Sequence, residues 1–403
     1  MAGRGTGTIL ITGATTPLGT AITQLLAEEH PSYTLLLVSR NPSKIAIPQC
    51  ALLENGTAAP KIITKRLDLS SLLSVHDFAT TMATDMQIGL LPPLASIICA
   101  AYHCGGRRRM SKLIRKRYRG IKSCEDNSVE DGYERTFQVN YIAHAALVLR
   151  LLGYFRRDGG RVVMFGYEDG FERRAGGGEM RFGCLPGIPD DLDDLVEGDK
   201  EECQARSESG SRSGSQPDEK KRKKTKRDCT IRALQRYTAS RLATVTWVHA
   251  LNRHLEEDLA LGTITAAAIN INPRIGTHRQ KPSASVSLHL APVIQCITRP
   301  FLSLARRYMS PIMPIRTRTR VTEAGEAASD TVGLTTNNIF PFEGGYFDLK
   351  DRDTFGIVGT DVSSSSWNRL EQDEDGLKQE ALWAKTLEWA GISNVNTALK
   401  VEY

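Results

Sequence analysis

The sequence predicts an α/β fold: a doubly wound parallel sheet forming one large domain, interrupted by a charged insert. Three observations predict it. Short runs rich in Val, Ile and Leu recur along the chain with helix-length stretches between them, the pattern of parallel strands buried on both faces. The first run leads straight into a Gly-containing turn and an amphipathic helix, the opening unit of doubly wound sheets that bind nucleotides. The 403 residues are 40% hydrophobic and 24% charged, proportions that support a sizeable core and exclude collagen-like, coiled-coil or wholly disordered chains.

Each element has its own signal. Thr8-Ile9-Leu10-Ile11-Thr12 is a short buried-strand pattern, and Gly13 to Gly19 is a turn. Pro17 suits the first position of a helix running to about Glu29. Thr34 to Val38 predicts the second strand, Lys61 to Leu67 the third and Ser96 to Ala100 the fourth. Val139 to Leu152 has apolar residues at helical spacing, and Arg161 to Phe165 reads as the fifth strand. A helix is predicted from about Ile231 to Leu255, followed by a sixth strand over Thr263 to Ile271. Near the C-terminus, Ala381-Leu382-Trp383 and Leu387-Glu388-Trp389 form an amphipathic pattern that predicts core packing.

The predicted division is residues 1–197 and 229–403 as two parts of one domain, with 198–228 as a largely disordered insert. That insert joins an acidic stretch to a Ser/Gly-rich one and then to the basic run Lys220 to Arg227, with few large apolar groups to offset its ordering entropy. The favoured reading is a solvated segment; a nuclear-import signal or a polyanion patch are the alternatives. A second basic stretch, Arg107 to Gly120, holds eight basic residues and no acidic one. With 52 basic against 46 acidic residues the net charge is only +6, and no nucleic-acid-reading module is recognisable, so nucleic acid is not an expected partner.

No run of about 18 apolar residues suggests a spanning helix, and no signal peptide is recognised, which makes the expected location cytoplasmic. The eight cysteines contain no C-x-x-C pair and read as reduced thiols. Cys99 and Cys104 flank His103, but the spacing matches no zinc pattern, so no metal is expected. Residues 283–313 are apolar, interrupted by Arg299, Arg306 and Arg307. They predict a lid over a hydrophobic small molecule, with packing on a partner or peripheral contact with a membrane as alternatives. A homo-oligomer is left open.

The chemistry-bearing residues cluster at strand ends. Thr12-Gly13-Ala14-Thr15-Thr16-Pro17-Leu18-Gly19 places backbone N–H groups and a helix N-terminus where a pyrophosphate would sit. The second strand ends in Ser39-Arg40-Asn41. An acidic residue there would bind a ribose 2′-hydroxyl, whereas Arg40 pairs with a 2′-phosphate, so NADP is the expected cofactor rather than NAD. Asp68-Leu69 follows the third strand, and Asn140 is a polar residue on an otherwise apolar helix face that needs a partner. Tyr237 and Arg241 lie one helical turn apart on one face. A free tyrosine titrates near ~10, so a phenol exchanging protons near neutrality needs a fixed cation beside it.

Taken together these residues resemble the short-chain dehydrogenase/reductase family. Thr12, Gly13 and Gly19 match its T-G-x-x-x-G-x-G turn and Leu18 its apolar position, while Pro17 replaces the middle glycine. Tyr237 to Arg241 resembles its Y-x-x-x-K signature with arginine in the place of lysine. Asn272-Pro273-Arg274-Ile275-Gly276-Thr277 resembles its P-G-x-x-x-T segment. The family's N-N-A-G is replaced by Cys99-Ala100-Ala101-Tyr102, and no serine follows the fifth strand, where Gly166-Tyr167-Glu168-Asp169 stands.

The resemblance implies a Rossmann-type oxidoreductase moving a hydride between NADP(H) and a ketone or alcohol. Tyr237 would exchange the proton, Arg241 would hold the ribose and assist Tyr237, Asn140 would support the relay and Tyr167 would orient the carbonyl. Thr12, Gly13, Leu18, Gly19, Arg40, Asp68, Ile275 and Thr277 would complete the cofactor site. Tyr167 and Tyr237 are 70 residues apart, so the insert must loop out for them to meet. Within the family the chain resembles members of fungal secondary-metabolite pathways. The competing reading is a catalytically weak pseudoenzyme that keeps the fold and acts as a binding or scaffolding partner.

Overall fold

The computed structural model describes residues 7–48, 60–104, 129–166, 188–196, 219–270, 323–336, 345–348 and 376–400. Strand β1 is Thr8–Thr12, and its burial is complete along its length because both faces are covered. Helix α1, Pro17–Glu29, starts where sequence predicts: Thr16 caps it by accepting the Gly19 N–H, and Pro17 takes the first turn. Then follow β2 (Thr34–Ser39), β3 (Ile62–Arg66), α2 (Leu72–Gln87) and β4 (Leu94–Cys99). No element is expected from sequence at α2, yet its buried Val75, Phe78, Ala79 and Met82 carry helical spacing.

Helix α3 runs through Arg135–Phe137, a π turn Gln138–Ile142 and Ala143–Leu151. It is followed by β5 (Gly160–Phe165), α4 (Glu219–Glu257), β6 (Ile264–Asn270), α5 (Glu323–Thr336), β7 (Gly345–Asp348) and α6 (Leu377–Trp389). Helix α4 begins at Glu219, earlier than the expected Ile231 and inside the segment 198–228 expected to be disordered. The sequence there, rich in Lys and Arg, has good helix propensity, and it continues a helix that tertiary packing fixes further on.

The sheet has seven parallel strands in the order β3-β2-β1-β4-β5-β6-β7. Six were expected; β7 adds a seventh at the edge beside β6. Alternation within the strands splits the core in two. Leu10 joins one cluster with α2, α3, α4 and α6; Ile9 and Ile11 join the other with α1 and α5. This is the doubly wound Rossmann-type arrangement expected from sequence. The order reverses between β1 and β4, and a crevice opens beyond their carboxyl ends.

Helix α6 confirms the expected C-terminal core packing. Trp383 stacks on the fully buried Trp247 of α4 at 6.1 Å, and Thr386 is hydrogen-bonded to Tyr141 of α3. No helix among the described residues is long and apolar enough to cross a membrane. The expected lid over 283–313, the basic stretch 107–120 and residues 198–218 lie outside the described residues.

Candidate active site

The crevice at the strand-order reversal opens to solvent around a small cavity of about 110 Å³. Its wall is built from strand ends: Thr12, Gly13, Thr15 and Thr16 after β1, Ser39 and Arg40 after β2, Asp68 to Ser70 after β3, and Ala101 to His103 after β4. Arg135 and Val139 of α3 close it.

Two glycines shape its floor. Gly13 has φ +67°, and a Cβ there would stand 2.6 Å from the Ala101 Cα, so only glycine lets the β1 turn pass the end of β4. At Gly19 a Cβ would overlap the Gly13 carbonyl oxygen. The expected result for Gly19→Ala is a loss of about 1–3 kcal/mol in thermal or urea unfolding. Gly333→Ala in α5, where a Cβ meets nothing within 4 Å, should gain about 0.5–1 kcal/mol in the same assay. Equal effects of the two would show that the turn has room to yield.

The sequence-derived cofactor residues divide at this point. Thr12, Gly13, Arg40 and Asp68 line the crevice. Gly19 lies against the turn behind it. The Leu18 side chain points away into the α1–α5 core cluster, so it contributes backbone only. The mouth of α1 has little donor capacity left: Pro17 has no N–H, and the Gly19 N–H is taken by Thr16 Oγ1 at 3.0 Å. Arg40 is exposed, and a small turn around it is organised by Asn41, whose Oδ1 accepts from Ser43 Oγ at 2.6 Å. Asp68 Oδ1 accepts from the Ser70 N–H and hydroxyl, which fixes the carboxylate at the crevice edge.

The residues expected to carry chemistry gather on the β4–β5 side. Asn140 sits in the π turn of α3, 1% exposed. Its Oδ1 accepts the His103 N–H at 2.6 Å, and its Nδ2 donates to the His103 carbonyl at 2.9 Å and to Ser240 Oγ at 3.0 Å. Sequence asked for a partner for Asn140; the structure supplies two, His103 and Ser240, through three hydrogen bonds. Arg241 is 5% exposed, and its Nη1 donates to the Phe165 carbonyl at the end of β5 at 2.7 Å. The guanidinium lies 5.1 Å from the ring centroid of Tyr237 and 6.0 Å from that of Tyr102, within cation–π range of both. Tyr102 is on the crevice wall, so Arg241 links Tyr237 to the crevice edge. Tyr167, Ile275 and Thr277 lie outside the described residues.

His144 is the buried polar residue that sequence reasoning passed over. Its ring reaches Thr12 Oγ1 at 3.0 Å and the Asn140 carbonyl at 3.1 Å. Burial, together with the nearby Arg241 charge, holds its pKa down at about 4, against a hydrogen bond to the Asn140 carbonyl that raises it. A histidine amid Ile142, Ala143, Ala145 and Ala146 is the signal that could have found it. Arg135 on the crevice wall and Ser240, one helical step from Tyr237, were also missed. The thiols of Cys99 and Cys104 are buried, and burial pushes Cys104 up to about 12. Among the described residues no three His, Cys, Asp or Glu side chains gather where they could hold a metal ion.

No family model matches the chain. Three curated proteins do. It is 30% identical over 148 residues to a short chain dehydrogenase, resG, of Aspergillus sclerotiorum. It is 28% identical over 151 residues to the 3-keto-steroid reductase/17-beta-hydroxysteroid dehydrogenase 7 of Rattus norvegicus, and 25% over 145 residues to retinol dehydrogenase 13 of Mus musculus. Over these stretches the chain is similar to short-chain dehydrogenases/reductases. Each match spans 36% of this chain, and 33%, 45% and 36% of the lengths of those relatives.

Proposed function

We propose that the protein is an NADP-dependent oxidoreductase that moves a hydride between the nicotinamide and a ketone or alcohol of a hydrophobic small molecule. The observation that carries the proposal is the crevice at the β1/β4 reversal, with Gly13 forced into a left-handed turn on its floor and Arg40 at its edge. Thr12, Gly13, Thr15 and Asp68 would hold the dinucleotide, with Arg40 on a 2′-phosphate. Asp68 is the one acid among the lining residues, against Arg40 and Arg135, a balance that favours an anion near Arg40. When bound, the cofactor supplies or accepts the hydride. The relatives' names, a steroid reductase and a retinol dehydrogenase, support a hydrophobic substrate. The Aspergillus relative and the sequence resemblance support a role in secondary metabolism.

In the reductive direction Tyr237 Oη gives its proton to the substrate oxygen as charge develops there, and takes one back in the reverse direction. Arg241 keeps a fixed positive charge against the Tyr237 ring face, which favours the phenolate left behind. Asn140 holds His103 beside the crevice through two hydrogen bonds and fastens the Tyr237 helix through Ser240. As the sequence resemblance implies, Tyr167 would orient the substrate carbonyl, and Ile275 and Thr277 would serve the nicotinamide side.

The experiment is a fluorescence titration with NADPH and NADH. Micromolar NADPH binding with weaker NADH binding is expected. Arg40→Ala should lose about 10- to 100-fold in NADPH affinity and little in NADH affinity, the scale of a charge-assisted hydrogen bond. An unchanged preference overturns the assignment of Arg40, and binding of neither nucleotide overturns the proposal. A pseudoenzyme is the second reading. Two observations favour it: Arg241 commits Nη1 to a backbone carbonyl, and Pro17 removes an N–H from the mouth of α1. Its signature would be tight NADPH binding without oxidation by any of a panel of ketones.

A further inference from the structure

We infer that His144 is a positioning residue that locks the crevice and the Tyr237 helix into one register, an inference that rests on the dinucleotide reading of the crevice. The connection is a continuous chain of buried hydrogen bonds. The Ala101 N–H donates to Thr12 Oγ1 at 3.1 Å, and Thr12 Oγ1 meets His144 Nε2 at 3.0 Å. His144 Nδ1 meets the Asn140 carbonyl at 3.1 Å. Asn140 then grips His103 and Ser240, and Ser240 Oγ donates to the Tyr237 carbonyl at 2.7 Å. Thr12, Asn140, His144 and Ser240 are each at most 1% exposed.

The partners assign the tautomer. A carbonyl can only accept, so Nδ1 carries the hydrogen. Nε2 is then a bare acceptor, and the Thr12 hydroxyl donates to it. The alternative acceptor for that hydroxyl, the Ile98 carbonyl, is 3.5 Å away. The hydroxyl is thereby oriented: its hydrogen faces His144, and its lone pair holds the Ala101 N–H at the end of β4. Packing alone does not ask for this. The flanking Ile142, Ala143, Ala145 and Ala146 are apolar, and a leucine at position 144 would bury without the desolvation cost of an imidazole. What the imidazole adds is a fixed geometry between three segments far apart in sequence: the β1 turn, the β4 end and the π turn of α3. All three contribute crevice wall, the π turn through Val139, and the π turn also carries the link to Tyr237. The π turn is part of the device, because it sets the Asn140 carbonyl where the side chain four residues on can reach it.

Two conservative variants separate the ring nitrogens. The amide of His144→Gln reaches the Nε2 position and keeps the Thr12 link. The amide of His144→Asn reaches the Nδ1 position and keeps only the Asn140 link. NADPH affinity should stay within about threefold in His144→Gln and fall about tenfold in His144→Asn, with both proteins folded by circular dichroism. Amide exchange at Ala101 should quicken in His144→Asn alone. Equal affinities in the wild type and both variants would overturn the inference. The imidazole tautomer gives a reading that does not depend on cofactor binding. Nitrogen-15 shifts of the wild-type ring should show Nδ1 protonated and Nε2 bare, and an Nε2–H ring would overturn the inference. Wild-type protein that binds no dinucleotide but shows the Nδ1–H ring would instead count against the proposed function.

Discussion

Tyr237→Phe should lower turnover of a ketone substrate by about 100- to 10,000-fold while leaving NADPH affinity within about twofold. The reason is the separation of the two tasks in space. The crevice that would hold the adenylate half is lined by the ends of β1, β2, β3 and β4, and Tyr237 is not on that wall. Removing one oxygen from α4 therefore costs nothing in that part of the binding. What it removes is the proton donor that Arg241 supports from 5.1 Å. Phenylalanine keeps the ring under the guanidinium, so the stacking contact and the Arg241–Phe165 hydrogen bond survive. The measurement is steady-state oxidation of NADPH with a ketone panel, alongside fluorescence titration. Retained turnover would remove Tyr237 from the mechanism. A parallel loss of binding would mean that the phenol holds the cofactor rather than the reacting oxygen. Arg241→Lys reads the cation separately. A lysine cannot fork between the Phe165 carbonyl and the ring, so a gain in turnover would show that the arginine holds the site back.

The fold was legible because its signals are local. Leu10 and Ile11 fall on opposite faces of β1 and both are buried, so the strand reads as a continuous apolar run, and β2, β4, β5 and β6 carry similar buried apolar runs, while edge strand β3 shows only Ile62 and Ile63 before turning polar. Strand β7 was not legible, since Gly-Tyr-Phe-Asp is four residues long with two apolar side chains, too short for any periodicity to show. Helix α5 was hidden by composition. Its Gly, Ser and Thr content argues against a helix, and what settles it is the burial of Ala327, Ala328, Val332 and Leu334 in the cluster that also holds α1. At the candidate site, sequence located side chains but not their partners. Arg241 was expected to serve a ribose, and the structure sets one of its nitrogens on the Phe165 carbonyl, because the end of β5 leaves a buried acceptor there. Leu18 matched a motif position, yet its side chain serves the core. His144 matched no pattern, and only a demand that a buried imidazole be satisfied twice would have singled it out.

That same imidazole should make the protein acid-labile in a defined window. Burial and the Arg241 charge hold His144 at about 4 in the folded chain, against 6.5 when unfolded. Above pH 6.5 it is neutral in both states and contributes no pH dependence. Between 6.5 and about 4 the unfolded chain takes up a proton that the folded chain refuses, so unfolding becomes easier as pH falls. Below about 4 both states are protonated and the effect levels off. At about 1.4 kcal/mol per pKa unit, the loss across the window comes to about 3 kcal/mol, a large part of the stability of an ordinary domain. Other groups titrate over the same range, and a variant that lacks only this one cancels them. His144→Gln keeps the Thr12 link and carries no titrating ring, so its stability should fall less steeply than the wild type's between pH 6.5 and 4. Urea unfolding at intervals of half a pH unit gives both curves. Their difference should close by about 3 kcal/mol toward acid and stay constant above pH 7, and parallel curves would mean that the buried ring accepts its proton without strain. The acid limit also acts on the crevice. A protonated ring has no lone pair at Nε2, so the Thr12 hydroxyl loses its acceptor and must turn away, and the floor beside Ala101 loosens before the sheet does.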